Sequence, residues 1–466
     1  MKTAALAVLL LSSAAPQFAS AQARNNWWAI DWLDDRWLDF GASQPPAVVP
    51  LYPASNLSGF HGSISDTSGV LVLYMRPSGV GNSMGQTVPG PSPMWATDLE
   101  CQGSVFLPAH GTSRYGVFLT GQAAGGQVGA GFAEVDLSLN GGAGGVLGTG
   151  GRLLADSVLT SIAAMPHGNG SDYWGIFHAR GSNAWYAFQY GPFGLDTVPV
   201  VSLAGAVAEQ TGVWSSQIKC SPANDRIALH TQTDTLSVLA FDADMGTASD
   251  LVELVLPACL GGLEFSPSGR YLYAIVHRPD SNLVLQWDLW QSPNLIPTTE
   301  TTVFATPNMG NYCSGMLLAP DGRIYFPQDQ TSFLTRIGSP DQPGALCNTQ
   351  VNAVDIAPGE LTPFVNNHCK WYHDDTMTLG SAELVARSEP IVWPNPATCA
   401  AYVQLPENKG PWTLVVVDGV GRAVHSSFAP QGGTVMVPTA EFAPASYLVR
   451  AQGSRIVLFA SLIVHH

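Results

Sequence analysis

GGLEFSPSGRYLYAIV, residues 261–276, consists of an apolar segment, a tight turn at Ser266-Pro267-Ser268-Gly269, and a second apolar segment. Proline presets φ at the second turn position and glycine accepts a positive φ at the fourth, so the two segments are predicted to fold back as a β-hairpin. Related units occur at GSISDTSGVLVLYM (62–75), QIKCSPANDRIALH (217–230) and GMLLAPDGRIYFP (315–327), which makes the stretch one copy of a repeated module. Turn signals fall at Asp66–Gly69, His110–Ser113, His167–Gly170, Pro222–Asp225, Pro267–Gly269 and Pro320–Gly322. Their step averages roughly 50 residues, in the range of propeller blades. Further strands are predicted at 134–139, 183–190, 236–242, 283–289 and 333–338. Six turn units, the Trp-rich start and segment 346–372 together predict an all-β, roughly seven-bladed β-propeller, with 261–276 in about the fifth blade. A single blade has two apolar faces and cannot bury them alone, so neighbouring blades must cover it.

Composition agrees with many short strands. Charged residues are 12% of the 466, about half the usual share, while Gly (48) and Pro (34) are abundant. No window free of Gly and Pro carries the i, i+3, i+4, i+7 spacing of a long amphipathic helix. The formal net charge is −16 and basic residues nowhere cluster, which argues against nucleic acid as a partner.

The N-terminus combines Lys2, an apolar run Ala4–Leu11 and a small-x-small site at Ala19-Ser20-Ala21, the pattern of a secretory signal peptide over 1–21. The run falls well short of the roughly 20 residues that span a bilayer, so no transmembrane helix is expected. Seven cysteines (Cys101, Cys220, Cys259, Cys313, Cys347, Cys369, Cys399) follow. Export permits disulfides, but the odd count and wide spacing leave buried thiols as an equal alternative.

Residues 25–40, NNWWAIDWLDDRWLDF, carry four Trp on positions that suit a strand. They read either as a segment that closes a circular array of sheets or as an aromatic sugar platform. A Pro-rich loop (Pro45, Pro46, Pro50, Pro53) follows, and the propeller body extends over 22–375. Residues 376–390 read as a linker. A small β-sandwich domain is predicted over 391–466, its strands split by Pro-Asn-Pro, Asp-Gly-Val-Gly and Gly-Ser turns.

The tail carries Trp393-Pro394-Asn395-Pro396, then Val417-Asp418-Gly419-Val420-Gly421-Arg422, then Tyr447-Leu448-Val449-Arg450. It resembles the C-terminal sorting domain of type IX secretion substrates, the Por secretion tail type, and departs from it at Ala445-Ser446, where the family usually has a glycine. The resemblance implies that Pro394, Asn395, Pro396, Asp418, Gly421, Arg422 and Tyr447 form the sorting motif. It further implies passage through the periplasm, the type IX machinery as partner, removal of the tail within 376–392, and a secreted or cell-surface location. The body, through Gly62–Asp66, Gly168–Trp174, Phe241-Asp242, Leu263–Pro267 and Ala319–Tyr325, resembles exported propellers with WD40/YVTN-like repeats. That second resemblance implies fold and address, with no activity.

Candidate chemistry is sparse. Gly81-Asn82-Ser83-Met84-Gly85 matches G-x-S-x-G, but the QTVPGPSPM that follows cannot start the helix a nucleophile elbow needs. Asp242, Asp244, Gly246 and Asp250, with Glu253 at the twelfth place, resemble a calcium loop, and Asp-x-Asp-x-Gly also makes an ordinary hairpin turn. His368, His373, Asp374 and Asp375 are a metal candidate of unfixed spacing. Asp156, Asp196, Asp234 and Asp375 begin Asp-Ser/Thr-apolar triplets that fit a bacterial O-glycan acceptor pattern. No catalytic residue and no cofactor is assigned. The leading expectation is a binding or interaction module for an extracellular glycan or protein, using loops at one rim. The alternative is a hydrolase or lyase acting on a polymer, with its site at the ring axis. A third reading is a structural surface-layer component.

Overall fold

The computed structural model describes residues 23–29, 36–41, 43, 45–50, 62–76, 79–90, 103–122, 128–148, 150–209, 216–231, 235–256, 259–307, 315–327, 331–356, 369, 391–405, 412–418, 423–429, 433–453 and 457–465. The chain divides into two compact units at Asp375/Thr376. Among the described residues no helix is long and apolar enough to cross a membrane.

The first unit is all-β and propeller-like. Seven antiparallel sheets follow one another along the described chain, each built from consecutive strands. The first comprises Trp27–Ala29, Arg36–Asp39 and Ala47–Pro50; the second Ser63–Ser65, Leu71–Arg76 and Gly79–Asn82. The third and fourth begin at Ser104–Pro108 and Ala163–Pro166 and have five strands each. The fifth is Ser216–Cys220, Arg226–Thr231, Thr235–Asp242 and Thr247–Val255. The sixth is Cys259–Phe265, Tyr271–His277, Ser281–Asp288 and Thr301–Pro307, and the seventh Leu317–Leu318, Ile324–Pro327, Phe333–Ile337 and Thr349–Asp355.

The turn between first and second strands has one design. In the sixth sheet Gly269 N–H donates to Ser266 O (2.8 Å) and Ser266 N–H to Tyr271 O (2.8 Å). The fourth turn residue has positive φ in each related copy: +71° at Gly269, +75° at Gly322 and +58° at Asn224. Asparagine stands in for glycine at the last because its short polar side chain tolerates the left-handed region.

Each sheet is apolar on both faces, and each shares a core with the next. Trp37 of the first meets Leu71 and Tyr74 of the second, the rings edge to face at 5.3 Å. Ile64, Val105, Phe118 and Phe177 join the second, third and fourth. Trp174, Trp185, Ile218 and Phe241 join the fourth and fifth. Val238, Phe265, Leu272 and Trp287 join the fifth and sixth. Tyr273, Ile324 and Phe326 join the sixth and seventh. The seventh in turn shares a core with the first: Trp28 and Phe40 pack with Leu317, Tyr325 and Leu334.

Two details of the sequence reading change. Within segment 346–372, the described strand Thr349–Asp355 is the outer strand of the seventh sheet. Residues 261–276 lie in the sixth sheet in chain order, because the Trp-rich start forms a complete first sheet. Of the two readings of that start, burial of Trp28 and Trp37 favours closure over a sugar platform.

In the second unit, Ile391–Trp393, Ala400–Leu405 and Gly433–Pro438 form one sheet. Ala423–Ala429, Trp412–Val417, Ala445–Gly453 and Val457–Val464 form another. Alternate residues of both meet in one core containing Val403, Trp412, Leu414, Val437, Val449 and Leu462. The 376–390 segment lies outside the described residues.

Trp28 is fully buried between the first and seventh sheets, with its ring 4.3 Å from Phe40 and 6.3 Å from Tyr325. Trp28→Ala is expected to cost about 3–5 kcal/mol, read as a lower urea midpoint of the full chain; an unchanged midpoint would show that closure contributes nothing to stability.

Candidate functional site

The first strands of successive sheets lie side by side from the fourth sheet to the seventh. They carry the most deeply buried charges. Lys219 and Glu264, whose side chains are 3% and 0% exposed, pair at 3.5 Å. Lys219 Nζ also donates to Met316 O (3.1 Å), and Glu264 accepts from Phe265 N–H (2.9 Å) and Leu318 N–H (3.0 Å). Gln217 Oε1 accepts from Leu263 N–H at 3.1 Å. One clamp thus ties the fifth, sixth and seventh sheets together near their shared edge. A buried ion pair survives only where further hydrogen bonds satisfy both partners, and here they do. Toward the start of these strands a hydroxyl chain continues the belt, with Ser161 Oγ and Ser216 Oγ 3.0 Å apart and Thr120 Oγ1 donating to Thr160 O at 2.9 Å.

Three histidines stand at or next to the ends of the second strands of the fourth, fifth and sixth sheets: His178, His230 and His277. All are buried. Nδ1 lies 2.8 Å from Ala179 O in His178, 3.3 Å from Thr231 O in His230 and 2.8 Å from Asn282 Oδ1 in His277. Burial lowers the pKa of His178 and of His230 to about 4 from 6.5, because the dry interior disfavours the imidazolium. Both rings are thereby held in the neutral form near neutral pH. A Cβ at residue 261 would come within 2.6 Å of His277 Nε2, so glycine there makes room for the ring.

Positions singled out in the sequence separate in space. Asp242 Oδ1 accepts from Asp244 N–H (2.9 Å) and Met245 N–H (3.0 Å), while Gly246 takes φ +70°, so this loop is a self-capped hairpin turn. Asp242 pairs with Thr247 but Glu253 pairs with Ser237, five positions down the ladder and about 17 Å away. Glu253 accepts from Ser237 Oγ (2.8 Å) and Asp250 from Gly205 N–H (2.5 Å). The structure therefore does not bring Glu253 to Asp242 and Asp244, and no metal-binding group of three His, Cys, Asp or Glu forms among the described residues.

Ser83 sits in the turn after Gly79–Asn82, where Asn82 Oδ1 caps Met84 N–H and Gln86 N–H at 3.0 Å each. Among the described residues that follow, 84–90, there is no helix. Asp156 and Asp196 are exposed, whereas Asp234, His368, His373, Asp374 and Asp375 lie outside the described residues.

In the second unit, Asn395 bridges to the last strand, donating to Ser461 O (2.9 Å) and accepting from Ile463 N–H (2.8 Å). Pro394 and Pro396 flank it, each after a cis peptide bond. Tyr447 OH donates to Ala443 O at 2.8 Å, and Asp418 follows Trp412–Val417. Gly421 and Arg422 lie outside the described residues. Cys347 is a buried free thiol and Cys399 an exposed one.

Sequence reasoning missed the third-to-fourth-strand connections. Those of the fourth to seventh sheets expose large apolar side chains at the same end of their sheet, among them Phe193 (75% exposed), Met245 (62%), Trp290 (61%) and Leu346 (68%). The connection 289–300 of the sixth sheet is the longest of the four, against four residues, 243–246, in the fifth. Here Arg270, the residue after the Ser266–Gly269 turn, binds Asp288 through Nε (3.1 Å) and Nη2 (2.7 Å) and lies over the rings of Tyr271 and Trp290. That bidentate bond lowers the Asp288 pKa and raises that of Arg270. A Trp outside the strand alternation, in a long connection, was the available signal.

No family model and no curated protein matches the chain. Among solved structures it is similar to the periplasmic gluconolactonase of Pseudomonas aeruginosa, at 13% identity over 73% of this chain and 97% of that one, with a TM-score of 0.43. A protein from Lactobacillus plantarum matches at 14% identity over 81% and 99%, TM-score 0.35. A putative 6-phosphogluconolactonase from Bacteroides uniformis matches at 12% identity over 66% and 98%, TM-score 0.35. The fold rests on the sheet order and shared cores above, and no activity is carried over from these proteins.

Lys219→Met strands the Glu264 carboxylate and is expected to cost about 3–5 kcal/mol, part of it recovered in Lys219→Met/Glu264→Gln, whose amide oxygen can accept from one of the two backbone N–H groups. Urea titration of the three proteins distinguishes a stranded charge from lost packing: equal losses in single and double variants point to packing. The two histidines predict a pH dependence. Their folded pKa lies below the unfolded value, so the unfolded chain binds the proton first. Their contribution is complete above pH 6.5 and falls away as pH drops toward 4. The loss is about 3 kcal/mol per ring, and His178→Gln or His230→Gln removes that ring's share of the slope.

Proposed function

We propose that this protein is an exported seven-bladed β-propeller that works as a binding module, presenting its third-to-fourth-strand connections to an extracellular ligand. The row Phe193, Met245, Trp290 and Leu346 carries the reading. Large apolar side chains repeated at one end of four successive sheets gain nothing for the core, and exposed apolar clusters mark interaction sites. The inner strands support the same reading from the other side. Glu264 is consumed by a lysine and two backbone N–H groups, and His178 and His230 are held neutral, which leaves those groups unsuited to acid–base work on a polymer at the axis.

In this reading the seven sheets are blades of one ring, closed where the Trp28 sheet meets the Tyr325 sheet. The tail unit is a small sandwich that serves as a type IX sorting domain. Its support is the Pro394-Asn395-Pro396 segment tied to the last strand and the Tyr447 hydroxyl tied to the preceding turn. The type IX machinery is the partner of this unit, residues 1–21 are the signal peptide, and the destination is the cell exterior or surface.

Two measurements test these statements. Mass spectrometry of the protein recovered outside its native host is expected to show a chain that begins near Gln22 and ends within 376–392; an intact tail on the external form would sink the sorting assignment. Incubation of the full chain with polysaccharides is expected to show retention without new reducing ends, and release of product would favour the enzyme reading.

A further inference from the structure

We infer that the indole of Trp290 is a platform for a neutral glycan, taking the apolar face of one hexose unit; this rests on the binding-module reading above. The side chain is held from one side. Arg270 Cζ lies 5.3 Å from the indole centroid and 4.9 Å from that of Tyr271, so the guanidinium backs one face of the Trp290 ring. Asp288 fixes that guanidinium with two bonds and also accepts from Trp290 N–H (3.1 Å) and Gln291 Nε2 (3.2 Å). Asp288 thus caps the backbone of Trp290 and fixes the guanidinium that backs its ring, while Trp290 remains 61% exposed. Pre-organisation of this kind lowers the entropy that a ligand must overcome on binding.

The surroundings select the ligand class. A hexose presents a C–H face that packs on an aromatic ring and a rim of hydroxyls that need donors and acceptors. Indole Nε1–H makes no hydrogen bond among the described residues, which leaves one donor on an otherwise apolar ring for a sugar hydroxyl. Asp341 accepts from Ser268 N–H (3.0 Å) and Ser268 Oγ (2.5 Å) through Oδ1 alone, and its charge is felt at Arg270 and Tyr271. Its second oxygen has no partner among the described residues and can accept from a hydroxyl. A cationic ligand gains little, because Arg270 already engages the π-system. An anionic glycan is disfavoured by Asp341 and the formal net charge of −16, because the Arg270 guanidinium is already taken up by Asp288. The exposed tips on the two neighbouring sheets, Met245 of the fifth and Leu346 of the seventh, would meet further units of a chain.

The test uses the full-length protein with cellohexaose, laminarihexaose, chitohexaose and maltohexaose as neutral probes and an oligomannuronate as the anionic one. Calorimetry and tryptophan fluorescence are the readouts, with chromatography of each probe afterwards. At least one neutral hexaose is expected to bind and to shift the emission, with affinity weakened about tenfold or more in Trp290→Ala and retained within about threefold in Trp290→Tyr. Because Trp290 is exposed, the thermal midpoint of both variants should match the parent. Binding by none of the neutral probes, or by the mannuronate alone, overturns the proposal. Binding that survives Trp290→Ala removes this site while leaving the module reading in place. Shortening of the bound probe removes the module reading itself.

Discussion

Every sheet of the first unit is apolar on both faces, and the structure follows from covering them. In the sixth sheet all seven residues of Tyr271–His277 are buried, which a free-standing four-stranded sheet cannot achieve. The need passes from sheet to sheet until Trp28 and Phe40 of the first meet Tyr325 of the seventh. The N-terminal tryptophans are accordingly structural. Their burial removes the face that a linear stack would leave in water.

Packing sheet against sheet brings the first strands of successive sheets side by side, where polar groups must find partners. Lys219, Glu264 and Gln217 do this by reaching across sheets, to Met316, Leu318 and Leu263. A charge pair so buried contributes little net stability against an apolar pair of the same shape, but losing one partner is costly. Register between the fifth, sixth and seventh sheets is thereby specified by hydrogen bonds as well as by packing. The same engagement takes these groups out of chemistry, and the accessible features lie instead on the connections at the sheet ends. Trp290 is the clearest case: its rigidity comes from Arg270, a residue of the repeated turn, and its exposure from the non-repeated 289–300 connection. A common scaffold and a variable loop share the work there.

The six turns were legible in sequence because their backbone demands are local. Ser266-Pro267-Ser268-Gly269 needs a preset φ and a positive one, and only a few residues supply them. Strands such as Ser281–Asp288 were legible through their apolar runs. The count around the ring was harder, since the first sheet has no Pro-Gly turn and the 346–372 segment resembles a unit while Thr349–Asp355 only completes one. The calcium-like pattern shows another limit. Twelve positions fit a loop on paper, yet the chain continues as a hairpin and carries Glu253 down the strand, away from Asp242.

By itself the sequence determined the class of the fold, the hairpin turns and the change of character after Asp375, because turn geometry, strand alternation and the lack of helical periodicity are properties of neighbours along the chain. Tertiary structure alone decided which side chains share a place. The Lys219–Glu264 pair joins residues of different sheets, Trp28 meets Tyr325 across nearly the whole unit, and Arg270 reaches Asp288 and Trp290 from another strand. Such contacts depend on the packing of one sheet against the next and on cross-strand register, and neither is written in local spacing.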